Sequence, residues 1–375
     1  MDQERMLILT EKFKTAFGNK TAKFFCASGR IELCGNHTDH NYGKALVVTT
    51  KCNTLAYAAK TNNNYITILS DGYASIKVDI SKTEIKQDEK FTSMALVKGI
   101  IQGFKDRDFQ IGGFDAVINS TVFKGAGVSS SASFEILIAK IINDYYNNGN
   151  VTPLILAKIA QFAENMYFGK PCGLLDQCAI AFDGLNLLEF SENNVKVTPL
   201  PFIENNDKMI LVNCGCHCDL NSEYISIKED MLKVAKTLNK QYLGETEFSD
   251  FIQNFGEIYK KCGGKATLRA LHFYNENIRV DIIVNAIKNN DYATMKQRIK
   301  ESGDSSYKLL QNCIIDGDKV QVIATALAYA NLIEPQSVCR VHGGGFLGTI
   351  LCFVPKEKVE IFKNKMQIFG DVIEN

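Results

Sequence analysis

The stretch Lys124–Glu135, KGAGVSSSASFE, decides how the rest of the chain is read. Two glycines, a valine and three consecutive serines run directly into FEILIAKIINDYY, residues 134–146, whose apolar residues recur every three or four positions, as on one face of a helix. The serines therefore fall at a helix start. The first N–H groups of a helix lack internal partners and the dipole is positive there, so a glycine loop entering such an end suits an anion, phosphate above all. Ser129, Ser130 and Ser131 are equally good capping residues, and an ordinary helix start would use the same letters.

Downstream, VTPLILAKIAQFAENMYFG (151–169) opens with Thr and Pro in the manner of a second helix and carries Glu164 near its end. GKPCGLLDQCAIAFDG (169–184) sets Asp176 after a proline and a glycine, where an aspartate most often starts a helix or turns the chain. Strands are expected at LNLLEF and KVTPLPF. Upstream, the pattern predicts a helix to about residue 17, strands at AKFFCAS, TLAYAAK, YITILS and SIKVDI, a helix over about 91–105 and a strand at FDAVINS. Between the first two strands lies GRIELCGNHTDHNYG (29–43), too polar and glycine-rich for either regular element, and so read as a loop. Its His37, Asp39 and His40 could bind a metal or hold a polyhydroxylated ligand.

At 375 residues the chain exceeds what one core usually fills, so two domains are expected. The boundary falls near residue 205, where strand signals give way to a largely helical half: domain one spans 1–205 and domain two 206–375. In the second, MILVNC reads as a strand, followed by helices at roughly 220–240, 265–275, 278–290 and 316–331, then SVCRVHGGGFLGTILCFVP and a last helix. GGGFLG (343–348) fits G-x-G-x-x-G, but a strand follows it where a dinucleotide fingerprint needs a helix, and no P-loop motif is present. Forty-two basic residues balance forty-two acidic ones, which argues against nucleic acid as a partner. MDQERMLILTEKFK, acidic near its start and without a long apolar run, reads as an amphipathic helix, not a secretion signal or membrane anchor. Twelve cysteines in such a chain suggest reduced thiols in the cytoplasm. Cys214, Cys216, His217 and Cys218 in NCGCHCD lack the separated pairs of a zinc site and fit a strand running into a loop.

Taken together, GRIELCGNHTDHNYG, KGAGVSSSAS, PCGLLDQ and RVHGGGFLGT resemble, in that order and over nearly the whole chain, the signatures of galactokinases, a branch of the homoserine, mevalonate and phosphomevalonate kinase superfamily. The resemblance implies an α+β fold of two domains, an N-terminal one with a mixed sheet and a C-terminal one with an antiparallel sheet, and an active site between them. It also implies ATP and Mg2+. Gly125, Gly127, Ser129 and Ser130 correspond to the nucleotide phosphate loop, and Ser131 and Glu164 to the magnesium ligands, whose hard oxygens suit that ion. Asp176 corresponds to the base that takes the proton from the anomeric hydroxyl, and Arg30 to the positive group beside it. The sugar would be held by Arg30, Asn36, His37, Thr38, Asp39, Gly173, Asp176 and Tyr224.

Three departures stand out. The usual GEHTDY reads GNHTDH here, so Asn36 replaces a Glu and His40 a Tyr; Leu347 stands where the family has another Gly; and GCHCDL replaces NVRHSL, with His217 in place of an Arg. A neutral amide at 36 is expected to hold galactose less tightly than a carboxylate and to admit a broader range of sugars. The expected activity is transfer of a phosphoryl group from ATP to the anomeric oxygen of galactose by a monomer. The alternatives are a 1-kinase for a related sugar such as N-acetylgalactosamine, and a galactose sensor that binds ATP and sugar without turnover. Such sensors lose a Ser-Ala pair in the serine loop, whereas Ser131 and Ala132 are present here.

Overall fold

The computed structural model describes residues 3–122, 127–192, 194–203, 205–215 and 220–375, Asn221 by its backbone alone. Gly125, Cys216, His217 and Cys218 lie outside the described residues. The chain divides into two compact units, the first built from stretches 1–30, 49–123 and 129–183, the second from 31–48, 124–128 and 184–375. The boundary expected near residue 205 falls inside the second unit. Among the described residues no helix is long and apolar enough to cross a membrane.

The first unit opens with helix α1 (Gln3–Phe17), whose Leu9 and Phe13 pack on the sheet residues Leu55, Ala59 and Val117. Strand β1 (Lys23–Cys34) pairs with β2 (Lys44–Lys60), and both belong partly to each unit. β1 therefore extends through GRIELC, and the loop proper is shorter than the letters suggest; Ile31 and Leu33 are buried strand residues. Next come β3 (Tyr65–Ser70), β4 (Ile76–Asp79), helix α2 (Ser93–Lys105) and β5 (Phe114–Ser120). β3 runs parallel to β5 and antiparallel to β4, while Thr54–Lys60 of β2 pairs antiparallel with β5, so this sheet is mixed. The predicted amphipathic run becomes α3 (Ser130–Asn147), with Ile136, Leu137 and Ile141 inside. Helix α4 (Pro153–Phe162), capped by Thr152, continues into a π-helical turn, Ala163–Phe168, and α5 (Leu175–Phe182) follows with Asp176 in its first turn. π-Turns insert an extra residue and re-aim side chains; this one carries Glu164.

In the second unit, Lys44–Val48 of β2 pairs antiparallel with β6 (Leu185–Phe190), which pairs with β7 (Val195–Leu200). After β8 (Asp207–Asn213) come helices α6 (Asn221–Thr237), α7 (Phe248–Gln253), α8 (Phe255–Cys262), α9 (Gly264–Lys288), α10 (Tyr292–Ser305) and α11 (Val322–Ile333). The chain ends with β9 (Val338–His342), β10 (Thr349–Pro355), α12 (Val359–Met366) and β11 (Asp371–Glu374). The antiparallel sheet has the order β11-β8-β10-β9, with Ile323 and Ala330 of α11 and Phe362 of α12 packed against it. The two helices expected over 265–275 and 278–290 are one helix of 25 residues. Its apolar spacing is interrupted by polar residues, of which His272 and Glu276 are buried, and these point inward to other polar groups.

Helix α2 meets the π-turn through Gly99. A Cβ at that position would fall 2.7 Å from both Cα and Cβ of Ala163, the residue before Glu164. Gly99→Val should therefore force the turn and α2 apart and destabilise the protein by about 1–3 kcal/mol, the usual range for overpacking. Denaturant unfolding measures this, and an unchanged midpoint would mean that the contact yields freely.

Candidate active site

In the first unit, Arg30 near the end of β1 and Asp176 at the start of α5 form an ion pair, Nε to Oδ1 at 2.9 Å. The other carboxylate oxygen, Oδ2, accepts a hydrogen bond from Ser129 Oγ at 2.5 Å. Ser129 is the residue before α3 and sits in the left-handed region (φ 62°) without capping the helix through its side chain. The loop geometry thus spends the serine on Asp176, where the sequence suggested phosphate. Partial burial on its own would raise the Asp176 carboxyl, but the Arg30 charge, the Ser129 hydroxyl and the Lys170 charge outweigh it and hold the group below its ordinary value. Its side chain is 36% exposed, against 8% for Arg30, so an ionised acceptor faces outward with a buried cation behind it. A carboxylate oxygen can accept two hydrogen bonds, so these partners leave capacity for a substrate hydroxyl. Gly173 is an exposed residue three positions ahead of Asp176.

Ser131, the second residue of α3, donates its Oγ hydrogen to Glu164 Oε1 at 3.0 Å. Lys170 reaches the same oxygen at 3.4 Å, and Gln177 Nε2 donates to Glu164 Oε2 at 2.7 Å and to Glu135 Oε2 at 3.3 Å. Burial and the neighbouring Glu164 charge push the Glu135 carboxyl well up. Glu135 Oε1 and Gln177 Oε1 are buried without a hydrogen-bond partner among the described residues. A hydroxyl and a carboxylate side by side fit a hard divalent cation that takes its remaining ligands from phosphates and water. Among the described residues no group of three or more His, Cys, Asp or Glu is placed to hold a metal ion. Ser130 is the first residue of α3, and Gly127 is exposed with φ 64°. Gln177, Lys170 and Glu135 were not singled out individually; Glu135 shows as a polar letter in an apolar run, while Lys170, between Gly169 and Pro171, carries no such signal.

In the second unit, the loop after β1 carries Asn36, His37, Thr38 and Asp39, and α6 carries Tyr224. Thr38 Oγ1 lies 2.9 Å from Gly35 O and 2.7 Å from Lys44 O and closes the loop on itself, so Thr38 is fully buried and structural. His37 Nε2 meets Gly344 O at 2.9 Å and must be the protonated nitrogen, leaving Nδ1 as an acceptor. Burial lowers its pKa to about 4, so the ring is neutral at pH 7. Its ring lies 5.6 Å from that of His40 and 6.0 Å from that of Tyr224. His40, the departure from Tyr, pairs Nδ1 with Asn41 Nδ2 at 2.9 Å, and its buried Nε2 has no hydrogen-bond partner among the described residues. Asp39 begins a short 3-10 turn, Asp39–Asn41, and is partly exposed. Asn36 is buried and hydrogen-bonded to protein groups. Leu347, the departure in the glycine turn, fills an apolar cluster with Ile227, Met231 and Phe273.

Helix α9 holds this loop in place. Glu276, with 0% exposure, accepts from Gly35 N at 2.8 Å, Cys34 Sγ at 3.1 Å and Ser302 Oγ at 2.9 Å, and pairs with Arg279. His272 Nε2 donates to Asn36 O at 2.9 Å, and Asn277 Oδ1 accepts from Lys44 N at 2.7 Å. Burial alone would raise the Glu276 carboxyl, yet His272, Arg279, Arg340 and the Gly35 N–H hold it down to about 2. The folded value lies below the ordinary 4.5, so ionised Glu276 contributes stability that is complete above that pH and lost as pH falls toward 2. Glu276→Gln should cost about 3 kcal/mol at neutral pH. The gap to wild type should narrow as pH drops below 4.5. Urea unfolding at a series of pH values tests this; a gap independent of pH would remove the charge from the explanation.

Residues 11–60 match the galactokinase galactose-binding signature, and residues 95–184 the GHMP kinases N-terminal domain. The chain is 30% identical to the galactokinase of Bacillus subtilis over 369 residues, covering 94% of this chain and 90% of that protein. It is 29% identical to the galactokinase of Clostridium tetani over 371 residues, covering 96% and 90%. Its fold matches the crystal structure of Lactococcus lactis galactokinase complexed with galactose, with a TM-score of 0.85 at 24% identity over 99% of this chain and 97% of that one. With two signatures in the expected order and similarity running almost end to end, the chain belongs to the galactokinase family.

Proposed function

We propose that this enzyme transfers the γ-phosphoryl group of ATP to the anomeric hydroxyl of galactose, giving galactose 1-phosphate and ADP. The observation that carries the reading is the Asp176 carboxylate, held ionised between Arg30 and Ser129 and partly exposed. In the proposed reaction the anomeric O–H gives its proton to Asp176 as its oxygen forms the new bond to the γ-phosphorus. The bond from that phosphorus to the β–γ bridging oxygen breaks, and ADP leaves with the electron pair. Phosphoryl transfer asks mainly for positioning and charge stabilisation, and the Arg30 guanidinium supplies positive charge beside the base. Ser131 and Glu164 would hold Mg2+, which supplies neutralisation of the phosphate charge when bound. Gly127 and Ser130 belong to the phosphate loop in this reading, as does Gly125. His37, Asp39 and Tyr224 hold the remaining sugar hydroxyls, with Gly173 beside the base; a neutral imidazole, a carboxylate and a phenol offer directed donors and acceptors. The reading places the enzyme in the cytoplasm, acting as a monomer.

A coupled assay of ADP release across galactose, N-acetylgalactosamine and other hexoses tests the substrate, with galactose expected to give the highest kcat/KM. Asp176→Asn should reduce turnover by on the order of 1,000-fold or more while ATP still binds, because the amide keeps the shape and loses the basic site. Near-normal rates would remove Asp176 from the mechanism. Arg30→Gln should lower kcat and move the acid limb of its pH profile upward, since the charge that depresses the Asp176 carboxyl is gone. Glu164→Ala should raise the Mg2+ concentration needed for nucleotide binding, measured by calorimetry; an unchanged requirement would overturn the ligand assignment.

A further inference from the structure

The amide of Asn36 is 1% exposed, and every hydrogen-bonding capacity it has is met by protein. Nδ2 donates to Glu32 Oε1 at 3.0 Å and to Gly343 O at 2.7 Å; Oδ1 accepts from Asn312 Nδ2 at 2.8 Å and from Ser306 Oγ at 3.4 Å. A primary amide has two donors and two lone pairs on its oxygen, so nothing remains for a sugar hydroxyl. The carboxylate beside it is already accounted for. Glu32 is buried, and its Oε1 also accepts from Arg340 NH2 at 3.2 Å, while the fully buried Arg340 uses NH1 on Leu33 O at 2.6 Å and Nε on Val341 O at 2.9 Å. A second carboxylate at position 36 would face Glu32 Oε1 and Gly343 O with no proton to offer either. Two carboxylates sharing a buried site do not both stay ionised without large cost.

On the far side of Asn36, Asn312 Nδ2 also donates to Gly344 O at 3.1 Å, and its backbone oxygen accepts from Phe346 N. Gly344 O is the same oxygen that receives His37 Nε2, and Gly345 O accepts from Tyr224 at 3.4 Å. The fit of this turn is tight: Gly345 has φ 80°, and a Cβ there would lie 2.4 Å from the Asn312 side chain and backbone. The path Glu32 to Asn36 to Asn312 to the glycine turn therefore ends on the two side chains, His37 and Tyr224, assigned to the sugar.

We propose that Glu32, Asn36 and Asn312 form a buried carboxylate–amide–amide lock that fixes the sugar loop to the Gly343–Phe346 turn. Asn36 is then a positioning residue, and an amide is required at 36 because a carboxylate occupies 32. The role in sugar binding rests on the function proposed above; the lock itself does not. Position 36 differs in this from the direct reader of the sugar that the family pattern suggests, and selection falls to His37, Asp39 and Tyr224.

The test is a double-mutant cycle on the full chain with Asn36→Glu, Glu32→Gln and the two combined, reading the thermal midpoint, galactose KM and kcat. Asn36→Glu should lower the midpoint by several degrees and raise KM about tenfold or more, with a smaller fall in kcat, because the displaced groups bind the sugar and do not act on the transferring phosphoryl. The combined variant again has one carboxylate and one amide, in exchanged places, and should recover part of both losses, with Gly343 O still lacking the donor that Asn36 supplied. Asn312→Ser, a milder change, should raise KM with a smaller midpoint shift. The proposal is overturned if Asn36→Glu keeps its midpoint and lowers galactose KM, which would mean that residue 36 contacts the sugar. It is equally overturned if the combined variant is no more stable than Asn36→Glu. If wild type phosphorylates no sugar, the proposed activity fails while the midpoints of the cycle still decide the lock.

Discussion

The buried carboxylate of Glu276 is the interaction on which the second unit's functional surface depends. A loop such as residues 35–44 exposes backbone N–H and C=O groups that neither sheet nor helix satisfies, and burying them unpaired would be costly. Glu276 accepts from the first of them, Gly35 N, and from the Cys34 thiol just before it. Its charge is sustained by Arg279 and Arg340. His272 one turn earlier and Asn277 one residue later take Asn36 O and Lys44 N, so one helix face satisfies both ends of the loop. A rigid element thereby holds a loop that would otherwise be free to drift, which is what a site for a polyhydroxylated ligand needs.

The first unit solves a different electrostatic problem. Glu135, Glu164 and Asp176 bring three carboxyls into one neighbourhood, and the surroundings of Glu135 and Asp176 push those two in opposite directions. Asp176 has Arg30 and Ser129 and stays ionised; Glu135, buried against Glu164, is driven toward its neutral form. Separation of acid strengths among neighbouring carboxyls marks where proton and cation chemistry are handled. The π-turn matters here because it lets Glu164 leave the register of α4 and meet Ser131 on a different helix.

The departures from the family pattern acquire physical meanings in the structure. Leu347 in place of Gly adds apolar volume to the cluster beneath α6 and α9. Asn36 in place of Glu is matched by the carboxylate of Glu32 at hydrogen-bonding distance. Substitutions of this kind are read correctly only in pairs, since each alters what its neighbour must be.

By itself the sequence determined the α+β class, most of the elements of the first unit and the identity of the motifs. Local signals carry these: alternating apolar letters in YITILS and FDAVINS, three- and four-residue spacing after Ser131, and Thr-Pro before α4. It failed at α9, where inward-facing polar residues break the apolar period, and at the start of β2, where ALVV is a continuous apolar run without the alternation of a half-buried strand. Only the tertiary structure decided the partners of the candidate site residues: that Ser129 binds Asp176, that Gln177 bridges two carboxyls, and that Glu276, Arg340 and Asn312 support β1 and the loop after it from more than 200 positions away. A sequence pattern records which face of an element is buried, because burial repeats with the period of the element. It does not record which buried polar group meets which, because that pairing is fixed by long-range packing and leaves no period behind.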